Sequence, residues 1–215
     1  MTRFFGQILG ASIVLFARFI TAARANWEGV DPLPCKRVYY SNHTSNADFI
    51  LIWASLPPLL RRATRPVAGA DYWLKSWIRA FIARHSINAV LIDRRAEHRD
   101  RDPIEQMAEA LDEGSSLIIF PEGGRNRTTD PLLPFKAGLF NLAKERPDVD
   151  LVPVWLENLN TVMPAGEIIP IPLICTVTFG APIHVGDNED NDVFLARAAD
   201  ALAALQPASA QQEDG

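Results

Sequence analysis

The chain has 215 residues, of which 48% are hydrophobic and 22% charged, and its formal net charge is −5. This length and composition indicate one ordinary globular domain that is large enough to bury a core. Its two cysteines, Cys35 and Cys175, have neither the spacing of a disulfide framework nor that of a structural zinc site, which fits a reducing compartment.

The charged residues are unevenly distributed between the two halves of the chain. Residues 1–101 carry 15 Lys and Arg against 7 Asp and Glu, whereas residues 102–215 carry 6 against 19. The basic half could meet anionic lipid or a phosphorylated substrate, although a solvated charged surface is the ordinary alternative. The whole chain is acidic and contains no matching motif, so we expect no nucleic-acid partner.

The amino-terminal segment has the pattern of a helix that lies in a membrane interface. Residues 4–16 are uncharged and mostly apolar, Arg3 and Arg18 flank them, and the run is shorter than the roughly 20 residues of a spanning helix. One helical stripe collects its large apolar side chains, which are Phe5, Leu9, Ile13, Phe16 and Ile20. We expect residues 1–25 to form an amphipathic helix that anchors a peripheral or monotopic protein on the cytoplasmic face of a membrane.

Two other interpretations of this segment are open. The helix could pack on the domain, or the segment could be a signal peptide that is cleaved near Ala23-Arg24-Ala25. Arg18 and Arg24 argue against the signal peptide, because charges are unfavourable between its apolar core and the cleavage site.

Strand-type runs then alternate with helical patterns. Strands are predicted at residues 36–40, 66–70, 87–92, 116–120, 151–155 and 173–179. Helices are predicted at residues 48–56, 71–84, 103–113, 135–144 and 191–205. This alternation predicts an α/β fold, in which a single domain over residues 26–205 has a mostly parallel central sheet flanked by helices. Residues 206–215 are polar and small and are predicted to be a disordered tail.

The predicted helix over residues 71–84 carries several aromatic side chains together with basic ones. We expect most of this aromatic stripe to lie in the core. A share of it could face lipid, because Trp and Tyr favour the membrane interface.

An imidazole and a carboxylate lie five residues apart at His43 and Asp48. A histidine can take a proton near neutral pH, since its unperturbed pKa is about 6.5, and a carboxylate on its other ring nitrogen fixes the tautomer. The two side chains can meet if His43 lies in a turn and Asp48 in the first turn of a following helix. For this pair taken alone, a capped loop with an incidental histidine is the favoured interpretation.

Three polar turns each directly follow a predicted strand, and they contain His43, Arg94 and the sequence Glu122-Gly123-Gly124-Arg125. If these strands are parallel, the turns converge at one edge of the sheet, where ligands of open α/β sheets bind. Glycines allow the backbone to approach a ligand closely, and Arg125 could grip a phosphate through two parallel hydrogen bonds. Arg94 and Lys136 could add positive charge to the same pocket.

Four short sequences resemble, in order, the motif blocks of the glycerophospholipid acyltransferase family. They are Asn42-His43-x4-Asp48, Ile92-Asp93-Arg94, Phe120-Pro121-Glu122-Gly123-Gly124-Arg125 and Val152-Pro153-Val154. The resemblance covers roughly residues 36–180 and points to the 1-acylglycerol-3-phosphate acyltransferase branch.

The resemblance implies a role for each matching residue. His43 matches the general base of the family and Asp48 its partner carboxylate. The matches that imply acceptor binding are Arg94, Glu122, Gly123, Arg125 and Lys136, while the role of the fourth-block Pro153 is less defined. The third block of the family usually reads Glu-Gly-Thr-Arg-Ser, and this chain departs from it at Gly124 and Asn126, which leaves the acceptor head group open.

The reaction implied by the resemblance is transfer of a fatty acyl group from an acyl thioester to the free hydroxyl of lysophosphatidate, which gives phosphatidate in phospholipid biosynthesis. The donor would be acyl-CoA or acyl carrier protein, and no metal or redox cofactor is implied. The alternative acceptor is another lysolipid, such as lysophosphatidylglycerol or a lyso-aminolipid.

Two further classes of function are open. A hydrolase would pass the acyl group to water, but the Gly-x-Ser-x-Gly elbow of many lipid hydrolases is absent. A non-catalytic lipid-binding protein would have no use for a general base, so the His43–Asp48 pair argues against this class.

Overall fold

The computed structural model describes residues 24–45, 47–93, 101–157 and 175–207, together with Leu9, Gly10, Ser12 and Leu15. Seven strands lie in these ranges. They are Arg24–Trp27 (β1), Arg37–Ser41 (β2), Thr64–Gly69 (β3), Val90–Ile92 (β4), Ser116–Ile119 (β5), Asp150–Glu157 (β6) and Thr176–Phe179 (β7). All seven strands form one sheet in the order β1-β7-β6-β2-β5-β3-β4.

The sheet is mostly parallel, as the sequence predicts. Strands β6, β2, β5, β3 and β4 run in the same direction, whereas β7 is antiparallel to β6. Strand β1 lies at the edge beside β7 and runs parallel to it. Strand β2 is buried along its whole length, as expected for a parallel strand that is covered on both faces.

Helices cover both faces of the sheet. From residue 24 onward, the α-helices of the described residues are Asp48–Ser55 (α1), Pro58–Ala63 (α2), Ala70–Trp73 (α3), Trp77–Phe81 (α4), Pro103–Asp112 (α5), Gly138–Glu145 (α6) and Asn191–Ala203 (α7). Tyr39 of β2 packs on the face that α1 and α2 cover, whereas Val38 and Tyr40 pack with α5, α6 and α7. Successive side chains of β2 thus enter opposite core layers, and the predicted α/β fold is confirmed.

Helix α1 ends before Pro57, where the sequence predicts a stop. Pro58 lies in the first turn of α2, a position that needs no backbone N–H donor. The guanidinium of Arg61 donates hydrogen bonds to the last carbonyl groups of α1 and its C-cap, those of Trp53, Ala54 and Leu56. These bonds satisfy acceptors that have no partner inside the helix.

The single helix predicted over residues 71–84 is wrong. Helix α3 ends at Trp73, Ser76 is extended with φ −134° and ψ 138°, and α4 then runs into a π-helical turn, Ile82–Ser86. Trp77 and Ile78, the first two residues of α4, are exposed. The expectation that most of the aromatic stripe lies in the core is also wrong, because Trp77 is exposed and Tyr72, Trp73 and Phe81 are only half-buried.

The predicted amino-terminal helix is described in part only. Leu9, Gly10, Ser12 and Leu15 are helical, and most of residues 1–25 lies outside the described residues. The prediction is wrong for Arg24 and Ala25, because both pair with β7 as part of β1. Among the helices that the structure describes, none is long and apolar enough to cross a membrane.

Candidate active site

The turn after β2 is fixed by a buried asparagine. Asn42 is 4% exposed, and its side-chain amide donates to the carbonyl oxygen of Leu156 at 3.0 Å and accepts from the N–H of Leu156 at 2.9 Å. This pair of hydrogen bonds ties the end of β2 to β6. Because a buried amide must be hydrogen-bonded, the tie sets where the following residue, His43, leaves the sheet.

His43 and Asp48 meet as their spacing predicts. Nδ1 of His43 lies 2.7 Å from Oδ2 of Asp48, which is fully buried at the start of α1. The same carboxylate oxygen accepts hydrogen bonds from the backbone N–H groups of Thr44, at 2.7 Å, and Ser45, at 2.9 Å. An acceptor at Nδ1 favours the tautomer with its proton there, which leaves Nε2 as the basic ring nitrogen.

An aromatic ring covers one face of this imidazole. The rings of His43 and Phe120 are stacked, with centroids 4.2 Å apart and an interplanar angle of 20°. The His43 side chain is 19% exposed, and Nε2 has no hydrogen-bond partner among the residues that the structure describes. The ring is therefore held in place while one nitrogen is left available for a proton.

The turn after β5 is hydrogen-bonded to both the backbone N–H and the backbone carbonyl group of His43. Oε1 of Glu122 accepts from the N–H of His43 at 2.8 Å, and the N–H of Asn126 donates to the carbonyl oxygen of His43 at 2.6 Å. The second oxygen of Glu122 accepts from the N–H of Leu133 at 3.0 Å. The 4% exposed Glu122 thus supports the His43 turn, and its predicted contact with an acceptor phosphate stays a prediction.

Burial also changes the acidity of Glu122. Loss of contact with water raises the pKa of this carboxyl, and the hydrogen bonds from Leu133 and His43 offset part of that rise by stabilising the carboxylate. The buried surroundings of Glu122 therefore disfavour the ionised carboxylate that supports the His43 turn.

Asn126, one of the two departures from the family pattern, closes its own turn. Its side-chain oxygen accepts from the N–H and the hydroxyl of Thr128, at 2.9 and 2.8 Å, and its amide donates to the carbonyl oxygen of Asp130 at 2.7 Å. Sequence reasoning missed Asn42, Phe120 and Asn126 as supports of His43. The signal that could have found the first two is their place inside the motif blocks.

Gly123 allows Lys136 to approach the backbone of this turn. Its φ of +70° is in the left-handed region, which favours glycine, and a Cβ built there would lie 2.7 Å from Cδ, Cε and Nζ of Lys136. The backbone N–H of Lys136 donates to the carbonyl oxygen of Pro121 at 2.8 Å. The long side chain of Lys136 therefore lies directly on the glycine turn.

Cationic groups surround the turn. Arg125 and Lys136 are exposed, as is Arg127, which sequence reasoning did not include. Within the described ranges, the side chains of Arg125 and Lys136 make no hydrogen bond or ion pair, so their charges are available to an anion. Asp93 directly follows strand β4 at the same edge of the sheet, whereas the predicted acceptor-binding residue Arg94 lies outside the described residues.

Comparisons with known proteins identify the family. The model of the Acyltransferase family matches residues 24–157, more than half of the chain, and this range contains the His43 and Glu122 turns. The chain belongs to the acyltransferase family. The resemblance that the four motif blocks predict is thereby confirmed.

Two curated relatives of this chain are a 1-acyl-sn-glycerol-3-phosphate acyltransferase and a protein named Taffazin. A 1-acyl-sn-glycerol-3-phosphate acyltransferase of Cocos nucifera is 28% identical over 77% of this chain and 52% of that protein. Taffazin of Dictyostelium discoideum is 31% identical over 69% of this chain and 53% of that protein. The chain thus spans about half the length of these curated relatives.

A solved structure shares the fold. The crystal structure of PlsC, a 1-acyl-sn-glycerophosphate acyltransferase from Thermotoga maritima, matches with a TM-score of 0.68 over 94% of this chain and 79% of that chain. The two sequences are only 18% identical, so the match shows that the two chains share a fold.

Proposed function

We propose that this acyltransferase moves a fatty acyl group from an acyl thioester to the free hydroxyl of lysophosphatidate, and that His43 is the general base. The observation that carries the proposal is the 2.7 Å contact between His43 Nδ1 and the buried Asp48, which leaves Nε2 to accept a proton. The name of the relative in Cocos nucifera supports the choice of reaction.

The proposed reaction has two proton transfers. Nε2 of His43 takes the proton of the glycerol hydroxyl as its oxygen bonds to the thioester carbonyl carbon, and the carbon–sulfur bond then breaks. The thiolate leaves with the proton that His43 holds, which restores the neutral imidazole. Asp48 stabilises the imidazolium in between, and general base catalysis of this kind contributes roughly 10²–10⁴-fold.

The acceptor phosphate is the proposed partner of the cations at the glycine turn. Arg125 can form two parallel hydrogen bonds with a phosphate, and Lys136 adds a point charge beside it. Gly124 and Asn126 replace the usual residues of the third block, so another lysolipid, such as lysophosphatidylglycerol or a lyso-aminolipid, is the alternative acceptor. Either acidic donor, acyl-CoA or acyl carrier protein, fits a site surrounded by cations.

The experiment is an acyl-transfer assay with purified full chain, one labelled acyl-CoA and lysolipids that differ in head group, repeated with acyl carrier protein as donor. The proposal predicts a labelled phospholipid, formed fastest from lysophosphatidate. Arg125→Ala should raise KM for this acceptor by at least about tenfold, since a charged hydrogen bond contributes roughly 1.5–3 kcal/mol.

Lys144→Ala is the matched control for Arg125→Ala, because Lys144 is an exposed cation on α6 that lies near the ring of Phe140. Its KM should stay at the wild-type value. Faster transfer to a different head group would replace lysophosphatidate as the acceptor, and release of labelled fatty acid in place of phospholipid would overturn the proposed transfer.

A further inference from the structure

Three apolar side chains are exposed at the end of α3 and the start of α4. Trp77 is 80% exposed, Ile78 51% and Leu74 44%, and all three lie within five consecutive residues. Single exposed apolar residues are ordinary, whereas a group that includes a tryptophan is a feature of binding surfaces. We call Leu74, Trp77 and Ile78 the Trp77 patch.

The surroundings of the Trp77 patch are basic. Residues 58–92 contain six Lys and Arg and one acidic residue, Asp71, although the whole chain is acidic. Lys75 and Arg79 are exposed within and beside the patch, and the Arg79 guanidinium lies 4.5 Å from the centre of the Tyr72 ring. An apolar group with a basic rim matches the chemistry of a bilayer that contains anionic lipid.

The position of the Trp77 patch relates it to the active site. The ring of Trp73, directly before the patch, meets the ring of Phe49 edge-to-face at 5.9 Å, and Phe49 follows the Asp48 carboxylate in α1. At the other end of α4 and the π-helical turn, a Cβ on Gly10 would lie 3.1 Å from the carbonyl oxygen of Ser86. The segment that carries the patch therefore contacts the helix that carries Asp48 through Trp73 and approaches Gly10 through Ser86, while Gly10 also approaches Trp53 of that helix.

We infer that the Trp77 patch, with Lys75 and Arg79, is a docking surface for an anionic phospholipid bilayer. The inference rests on the proposed function, because a lysolipid acceptor keeps its acyl chain in a membrane while its hydroxyl reaches His43. A tryptophan suits this position, since it has an apolar body and a polar N–H that favour the interface. Each basic residue near an anionic surface adds to the attraction between the protein and the bilayer.

The chain contains a suitable spectroscopic probe. It has five tryptophans, of which Trp53 and Trp155 are buried and Trp27 and Trp73 are half-buried, so Trp77 is by far the most exposed. Vesicles of phosphatidylglycerol and phosphatidylcholine with brominated acyl chains, without substrate, should shift the fluorescence of the full chain to the blue and quench it. Trp77→Phe should still sediment with the vesicles but lose most of the shift and the quenching.

The energetic test uses matched pairs of exposed apolar residues. The double variant Trp77→Ser/Ile78→Ser should bind these vesicles at least about tenfold more weakly, because it removes two side chains from the bilayer. Leu33→Ser/Val193→Ser is the control, since Leu33 is 60% and Val193 58% exposed elsewhere. Lys75→Glu should weaken binding by at least about fivefold, whereas Lys144→Glu should not.

Several results would overturn the inference. The first is quenching that persists in Trp77→Phe. The second is an equal loss of binding in the patch variant and the control variant. The third is binding to pure phosphatidylcholine vesicles that is as strong as binding to vesicles with phosphatidylglycerol. A Trp77 shift that follows protein concentration, or that needs an acidic carrier protein, would assign the patch to a second copy or to a protein partner instead. Acyl transfer in detergent should be unchanged in Trp77→Ser/Ile78→Ser, because no bilayer is present there. Wild type that is inactive in detergent would instead show that the proposed function is wrong.

Discussion

At the scale of single residues, four contacts hold His43 in place. Asp48 binds Nδ1, Phe120 covers the ring, Glu122 accepts from the backbone N–H and Asn126 donates to the backbone carbonyl. A general base is effective only when it is held close to the group it deprotonates, because a bound near-attack geometry removes part of the entropic barrier. Residues that never touch substrate should therefore affect the rate.

Glu122→Gln tests this positioning. A glutamine has one acceptor oxygen, so the backbone N–H of either His43 or Leu133 would face an NH₂ group instead of a carboxylate. We expect kcat to fall at least about tenfold with little change in KM, and stability to fall by about 1–3 kcal/mol in urea unfolding. Glu113→Gln, which alters an exposed ion pair with Arg65, should change neither kcat nor stability. A rise in KM at unchanged kcat would show that Glu122 binds the acceptor instead.

The raised pKa of Glu122 predicts a pH dependence of stability. Because burial raises this pKa in the folded state, the native protein holds a proton that the unfolded chain has released once the pH passes the ordinary value of 4.5. The contribution of Glu122 to stability therefore falls as the pH rises from 4.5 through the folded-state pKa. Urea unfolding at several pH values should show that the free energy of unfolding of wild type, relative to that of Glu122→Gln, declines as the pH rises above 4.5. Parallel curves for the two proteins would contradict it.

At the scale of elements, the turn after β5 both supports His43 and carries the cations. Phe120, Glu122 and Asn126 contact His43, while Gly123 gives space to Lys136 and Arg125 is exposed. One turn thus links the position of the base to the position of a bound anion. A change in its backbone should affect both stability and acceptor binding.

Gly123→Ala tests the turn. A Cβ at φ +70° costs about 1–2 kcal/mol, and it would also displace the end of the Lys136 side chain, which lies 2.7 Å away. We expect stability to fall by that amount in urea unfolding and KM for a phosphorylated acceptor to rise. Gly124→Ala is the control, since nothing lies within 4 Å of a Cβ there and its φ is ordinary, so stability should change by less than about 0.5 kcal/mol. Equal effects of the two substitutions would contradict the account.

At the scale of the whole molecule, the parallel sheet brings distant sequences together. Strands β2 and β5 are neighbours and run in the same direction, so their following turns meet although His43 and Glu122 are 79 residues apart. The sequence predicts this edge, because buried parallel strands read as apolar runs and polar turns follow them. It also predicts the His43–Asp48 contact, since the spacing suits a turn followed by the first turn of a helix.

Other features could not be predicted from the sequence, for physical reasons. The bonds from Glu122 and Asn126 to His43 involve backbone groups, which every residue carries and which leave no side-chain pattern. Strand β1 has only four residues at an edge of the sheet, so its sequence reads as the end of the amino-terminal helix. The exposure of Trp77, directly after the break at Ser76, could not be predicted either, because an apolar residue type alone does not decide whether a side chain meets the core.

The measurement that tests the central proposal most directly is the initial rate of acyl transfer to lysophosphatidate by wild type, His43→Ala and His184→Ala. His184 is the matched control, because its Nε2 lies 3.0 Å from Oδ1 of Asp150 in an exposed pair that supports no proposed step. We predict a fall of roughly 10²–10⁴-fold for His43→Ala, with unchanged thermal unfolding, and a rate close to wild type for His184→Ala. Near-wild-type transfer by folded His43→Ala would contradict the proposal that His43 is the general base.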